Sequence, residues 1–255
     1  MSASTMRGII LAAGTGTRFN GALHPKCLAL FEDRTLINVQ LSALRACGIT
    51  DITVVVGFAA DTVRLACGPH VRFVENTRFR ETNSLYSLWL ARPVLDEGFV
   101  VMNCDVLFHP AMLGDLLTAR HENALLVSYP ESTDADLGDE EMKVQVRRGR
   151  VIDIDKGLSS RNTDGENVGI AKFSADGAHR LISVMDELVA ADHLRAWAPR
   201  AFKAFAQDNA LYAIGTRGLP WTEIDTPEDY RYARECVYPA LRAAVGERRR
   251  MAVGA

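Results

Sequence analysis

The sequence predicts an α/β fold, a mostly parallel sheet with helices on both faces, and three observations predict it. Short apolar, β-branched runs alternate with helical patterns through the first half of the chain. Those runs are apolar at consecutive positions, as in strands covered on both sides. The first of them leads straight into a small glycine-rich turn, and in such sheets ligands bind beyond the carboxyl ends of the strands.

The elements follow in order. Residues 7–12 read as a buried strand, and 35–47 as an amphipathic helix with Leu36, Val39, Ala43 and Leu44 on its apolar face and Gly48 as its stop. Residues 52–56 form a second apolar run, 61–67 a short helix, 71–74 a third strand, and 84–91 a helix ending before Pro93. A fourth strand, 99–102, ends at Asn103-Cys104-Asp105; 110–120 is helical and 124–128 is a strand. The second half changes character. Residues 143–147 and 151–155 flank Arg148-Gly149 as an antiparallel hairpin, followed by a strand at 168–173, helices at 175–190 and 198–207, a strand at 210–214 and a closing helix from 228 to about 247. The polar stretch 131–141 reads as a loop between subregions. We expect one domain across 1–255: a sheet core at about 7–130, a second part at about 131–232 with a small inserted β region over the ligand site, and the C-terminal helix.

Composition narrows the function classes. The 255 residues carry a net charge of −3, with 48% hydrophobic and 24% charged residues, which gives no global bias toward nucleic acid. Arg248, Arg249 and Arg250 read as a solvated tail. Five scattered cysteines without a C-x-x-C pair argue against a disulfide framework or a zinc site, and suggest a reducing, cytoplasmic setting. No apolar run approaches a membrane span, and Met1–Met6 is too short and polar for a signal peptide.

The chemistry concentrates in Leu11-Ala12-Ala13-Gly14-Thr15-Gly16-Thr17-Arg18, with Pro25-Lys26 shortly after. Small residues let backbone N–H groups approach a polyphosphate, and two cations neutralise it. The spacing is not a P-loop, because no Gly-Lys-Ser/Thr closes the turn, and it lacks the third glycine of the dinucleotide fingerprint. Asp105 also lies just past a strand end, so the two features can share one crevice. Asp105 alone also reads as a helix cap before Pro110.

Together with Asn103-Cys104-Asp105 and Trp221-x-Glu223-x-Asp225-Thr226-Pro227-Glu228-Asp229-Tyr230, the first motif resembles the signature of the nucleotidyltransferase superfamily that makes NDP-sugars and CDP-alcohols. Asn76 and Thr82-Asn83-Ser84-Leu85-Tyr86-Ser87-Leu88 are similar to the phosphocholine and phosphonate cytidylyltransferase branch, as are Met142-Lys143-Val144, Asp155-Lys156-Gly157 and Gly165-Glu166-Asn167-Val168. The resemblance implies a Rossmann-like fold, Mg²⁺ as cofactor, a nucleoside triphosphate (CTP favoured) and a small anionic phosphate or phosphonate acceptor. It leaves a homodimer open.

It also implies that about 7–130 is the nucleotide-binding part and about 131–232 the acceptor-facing part, and it implies residue roles. Asp105 and Asp225 hold Mg²⁺, with Glu223 a further ligand or a supporting partner. Arg18 takes the β- and γ-phosphates, and Lys26 neutralises charge at the α-phosphate or the incoming oxygen. Leu11, Ala12, Ala13, Gly14, Thr15, Gly16 and Thr17 cradle the nucleotide. Asn83 and Ser84 face the base or ribose, or cap the helix they precede. Lys143, Lys156, Glu166 and Asn167 face the acceptor, and a cationic head group calls for an aromatic wall among Tyr86, Trp89, Trp197 and Trp221. Asp225-Thr226-Pro227 is also a helix start, with Thr226 as the cap, and both roles can hold at once. Two rival functions stay open: a sugar-1-phosphate nucleotidyltransferase using UTP, dTTP or GTP, and a non-catalytic nucleotide sensor. The helical region 175–210 carries no motif.

Overall fold

The computed structural model describes residues 6–20, 24–130 and 138–243. The N-terminal Met1–Thr5, the basic cluster Arg248–Arg250, most of the 131–141 stretch and the last residues of the closing helix lie outside the described residues.

In chain order, β1 (Arg7–Ala12) leads to a one-turn helix α1 (Thr17–Asn20). A small ribbon β2 (Leu30–Phe31) and β3 (Arg34–Thr35) precedes α2 (Leu36–Ala46). Then come β4 (Ile52–Val56), α3 (Ala60–Cys67), β5 (Arg72–Glu75), α4 (Ser84–Leu90), β6 (Phe99–Asn103) and β7 (Val106–Phe108). They are followed by α5 (Pro110–Thr118), β8 (Ala124–Ser128), the hairpin β9 (Lys143–Arg147) and β10 (Arg150–Asp155), and the long strand β11 (Gly165–Phe173). The chain closes through α6 (Ala175–Ala190), α7 (Pro199–Asp208), β12 (Tyr212–Gly215), β13 (Trp221–Glu223) and α8 (Pro227–Tyr232). A π segment, Ala233–Val237, carries the last helix on to 243. Pro239 follows at once, and a residue without an N–H cannot continue the ordinary ladder.

The main sheet has the order β5-β4-β1-β6-β11-β8-β12-β10-β9 among the described residues. The expected parallel arrangement holds for β5, β4, β1 and β6, and again for β8 with β12. From β11 onward the sheet is mixed: β11 runs antiparallel to β6, β8 and β9. Between β8 and β11 the chain runs through the β9–β10 hairpin rather than through a helix that would return it parallel. That hairpin, expected as a separate inserted region, is hydrogen-bonded into the same sheet. Because β10 pairs with β12 and β9 with β11, strands β11, β8, β12, β10 and β9 close a circuit at this end.

Helices cover both faces. One core packs Leu85, Leu88, Leu181, Phe202 and Phe205 of α4, α6 and α7 onto Phe99 and Phe173. The other packs Ile37, Leu41, Val63 and Leu113 of α2, α3 and α5 onto Ile10, Val54 and Met102. A third, smaller cluster seats Val237, Tyr238 and Leu241 against Phe31 and Leu107. The strands thus bury both faces, as their unbroken apolar runs required.

Candidate active site

At the carboxyl ends of β1 and β6 lies a cleft of about 310 Å³. The glycine-rich turn makes one wall: Leu11, Ala12, Ala13, Gly14, Gly16, Thr17 and Arg18 line the cleft, while Thr15 does not. Two features shape this turn. The Phe58 amide donates to the Ala13 carbonyl at 3.0 Å. Gly16 adopts a positive φ of 61°, and a Cβ there would come within 2.7 Å of the Lys26 side chain. Only glycine fits both constraints.

Lys26 occupies the centre. Its ammonium bonds to Asp225 and sits 3.5 Å from Asp105 Oδ2. Burial alone would lower this amine's pKa, but Asp105 and Asp225 outweigh it and hold it above the usual lysine range. Arg18 donates to Asp225 Oδ2 at 2.8 Å and to Glu140 Oε2 at 2.9 Å. The pair Lys26 and Asp225 is therefore joined over 199 residues of sequence.

The acids are crowded. Burial raises the Asp105 carboxyl; Lys26 opposes the shift and Asp225 adds to it. Burial, then Asp105 and Asp225, pushes Glu223 well above the usual carboxylate range. Glu223 follows from pairing: β13 lies antiparallel to β7, so Glu223 sits opposite Val106 and reaches the cleft beside Asp105 and Asp225. Asp225 stands next to a full capping box, in which Thr226 accepts from the Asp229 amide and Asp229 accepts from the Thr226 amide. The helix start and the cleft position coexist, as the motif allowed.

Asp105 Oδ1 is buried and has no hydrogen-bond partner, while the other oxygen faces Lys26. Among the described residues no three His, Cys, Asp or Glu side chains are arranged to hold a metal ion alone. Two carboxylates, one with an orphaned oxygen, still fit Mg²⁺, which takes one or two carboxylates and completes its shell with phosphate oxygens and water.

Asn83 and Ser84 both reach the cleft and both serve the helix. The Asn83 side chain caps the Ser84 amide at 2.8 Å, and Ser84 Oγ accepts from the Ala198 amide at 2.8 Å. Backbone bonds from Asn83 to the Leu194 carbonyl and from Leu85 to the Ala196 carbonyl fasten the same loop. The motif-free region between α6 and α7 is thereby drawn across the cleft. It presents Trp197, which keeps 48% exposure, and the Lys156 ammonium lies 4.9 Å from its ring centroid. Of the four aromatics weighed, Trp197 is the one lining this cleft. Trp89 instead donates to Asp186 at 2.7 Å and stacks on Tyr86.

The acceptor-facing set divides. Lys156 and Asn167 line the cleft, and Lys156 donates to Glu140 at 3.2 Å. Lys143 does not line it. Its buried ammonium donates to the Lys156 carbonyl at 3.0 Å and holds the chain that carries Lys156. Glu166 stands outside the lining too, pushed up to about 7 by burial and then by Glu141. Sequence reasoning missed Glu140, which accepts from both Arg18 and Lys156. Nothing in its local sequence pairs it with residues so distant.

The model of the MobA-like NTP transferase domain matches residues 8–253. The chain belongs to that family. Among curated relatives of this transferase domain, a bifunctional IPC transferase and DIPP synthase from Rubrobacter xylanophilus is 33% identical, over 89% of this chain and 51% of that protein. A choline-phosphate cytidylyltransferase from Streptococcus pneumoniae is 25% identical, over 90% of this chain and 97% of its own length. A CMP-5'-(3-aminopropyl)phosphonate synthase from Streptomyces rubellomurinus is 33% identical, over 89% of this chain and 38% of that protein. The chain thus spans about half the length of the first relative and less of the third. The solved CTP:phosphocholine cytidylyltransferase of Streptococcus pneumoniae matches with a TM-score of 0.74 at 25% identity, covering 91% of this chain and 98% of that one.

Proposed function

We propose that this transferase domain is a cytidylyltransferase that moves CMP from CTP to a small phosphorylated alcohol or phosphonate, releasing pyrophosphate. The observation that carries the reading is Lys26, held between Asp105 and Asp225 at the mouth of the glycine-rich turn, with Arg18 on the same Asp225. Relatives named for choline phosphate and an aminopropylphosphonate support the CTP-dependent branch.

In the reaction, an acceptor oxygen bonds to the α-phosphorus as the α–β bridging P–O bond breaks. Both partners are anions, so the protein's task is charge and position. Arg18 turns from its carboxylate partners to the β- and γ-phosphates and takes up charge on the departing pyrophosphate. Lys26 stays on the floor and neutralises the α-phosphoryl oxygens. Lys156 and Asn167 hold the acceptor's phosphate or phosphonate, and Lys143 keeps the Lys156 backbone in place. Asn83 and Ser84 face the nucleoside. No side-chain nucleophile is needed, because an ionised phosphate attacks by itself. Asp105 and Asp225 would hold Mg²⁺, with Glu223 beside them; the ion would screen the two anions from each other and polarise the α-phosphoryl group. The scattered cysteines suit a reducing cytoplasm.

A panel of CTP, UTP, dTTP and GTP, each with phosphocholine or 2-aminoethylphosphonate and pyrophosphate release as readout, tests the assignment. CTP should lead by at least about tenfold in kcat/KM. Equal use of UTP or GTP would move the enzyme to the sugar-phosphate branch, and tight CTP binding with no pyrophosphate release on a wider panel of phosphate and phosphonate acceptors would favour the sensor.

A further inference from the structure

The turn that carries Asp105 is held from behind by a residue with no other use for its polarity. Gln40 sits on the core-facing side of α2, only 1% exposed, among Leu36, Ile37, Leu41, Ala43 and Leu44. An apolar side chain would suit that environment better. Instead the Gln40 amide nitrogen donates to the Asn103 carbonyl at 2.9 Å and to the Val106 carbonyl at 2.8 Å. These two carbonyls bracket Asp105. Both amide protons of the side chain are used, and the Gln40 Oε1 is left buried without a partner. The orientation is thus set entirely by the two bonds to the turn.

Two backbone groups of that turn are tied as well. The Cys104 amide donates to the Leu11 carbonyl at 3.3 Å, at the start of the glycine-rich turn, and the Asp105 carbonyl accepts from the Ile224 amide at 2.9 Å. These two bonds join backbone to backbone. Gln40 is the side chain that anchors the turn to the helix layer.

We infer that Gln40 is a positioning residue for the ion-holding acid: its amide fixes the Asn103–Val106 turn and so sets where Asp105 places its carboxylate. The inference rests on the proposed reading of Asp105. Residues that orient an ion's ligands, without touching the ion, typically govern affinity or activity by 10–100-fold.

The test uses the whole protein and Mn²⁺ as the probe, read by electron paramagnetic resonance with a non-hydrolysable CTP analogue bound, since phosphate oxygens complete the ion's shell, together with kcat and KM for CTP. Gln40→Leu should weaken Mn²⁺ binding about tenfold or more and lower kcat by about 10–100-fold, while KM for CTP moves less than about threefold. Leu44→Ala, buried on the same helix, serves as the control for general destabilisation; it should lower Tm without moving Mn²⁺ affinity. If wild type itself binds no Mn²⁺, the reading of Asp105 fails. If wild type binds and Gln40→Leu binds and turns over equally well, the role of Gln40 fails, as it does if Leu44→Ala loses Mn²⁺ to the same extent. Should Gln40→Leu not fold, Gln40→Glu replaces it. Its neutral acid donates one of the two bonds, so at temperatures well below its melting range its activity relative to wild type should fall as pH rises; its Tm relative to wild type falls over the same range, because a buried carboxyl loses stability as it ionises. A constant activity ratio would overturn the role.

Discussion

The Asp105 carbonyl accepts a hydrogen bond from the Ile224 amide at 2.9 Å, one residue before Asp225. This single backbone bond, beside the β7–β13 ladder, sets the register of the two acids against each other. Two carboxylates far apart in sequence thereby face one lysine. Asp105→Asn should keep the fold and lose about 10²–10³ in kcat or more. Burial and Asp225 disfavour its charge, so Tm should hold or rise slightly. Undiminished pyrophosphate release would remove Asp105 from the reaction.

Lys26→Met should cost both rate and stability. The rate falls by about 10²–10³ through loss of charge at the α-phosphate. Stability falls by about 1–3 kcal/mol at pH 7, because Asp105 and Asp225 then face each other with no ammonium between them. The sign with pH follows. Protonating Asp105, whose carboxyl burial already raises, relieves the repulsion, so the deficit should shrink as pH falls. Urea unfolding of both proteins at pH 4.5 and 7.5 checks this, and a constant deficit would refute it.

Glu166 makes the opposite kind of contribution. Its carboxyl is pushed up to about 7 from an ordinary 4.5. Between those values the folded chain keeps a proton that the unfolded chain releases, so stability declines as pH rises through that window and is flat above it. Glu166→Gln should remove this group's share of the slope. Relative to wild type it should gain about 3 kcal/mol between pH 4 and pH 8, as an upper figure. Parallel unfolding curves at the two pH values would disprove the placement of this titration.

Trp197→Ala separates acceptor from nucleotide. The indole face already carries a cation, the Lys156 ammonium. A cationic acceptor would use that face for about 0.5–2 kcal/mol. KM for phosphocholine should therefore rise about 3–30-fold, with KM for CTP nearly unchanged. An equal rise in both would assign Trp197 to packing of the 191–198 connection.

Much of the architecture was legible because it is written in local pattern. The unbroken apolar runs of β1, β4 and β6, the stop at Gly48 and the Arg148-Gly149 turn each place an element within a residue or two. The short strands β7 and β13 were not legible. Each has three residues and exists because the other is there to pair with it. The antiparallel course of β11 was hidden for a similar reason, since direction in a sheet is a property of neighbours.

The site divides along the same line. The types and spacing in 11–18, at Lys26 and around Asp105 and Asp225 point to the proposed chemistry by themselves, because phosphate and divalent ions call for small residues, cations and carboxylates. The sequence alone determined that inventory, and with it the strands and helices that bear it. Only the tertiary structure decided which members meet: Lys26 between two acids, Lys143 behind Lys156, Glu166 outside the cleft, Trp197 drawn in by Ser84, and Gln40 beneath the Asp105 turn. The reason is physical. Residue type sets what a group can bind, whereas its partners and its burial are fixed by strands and loops brought together from across the chain.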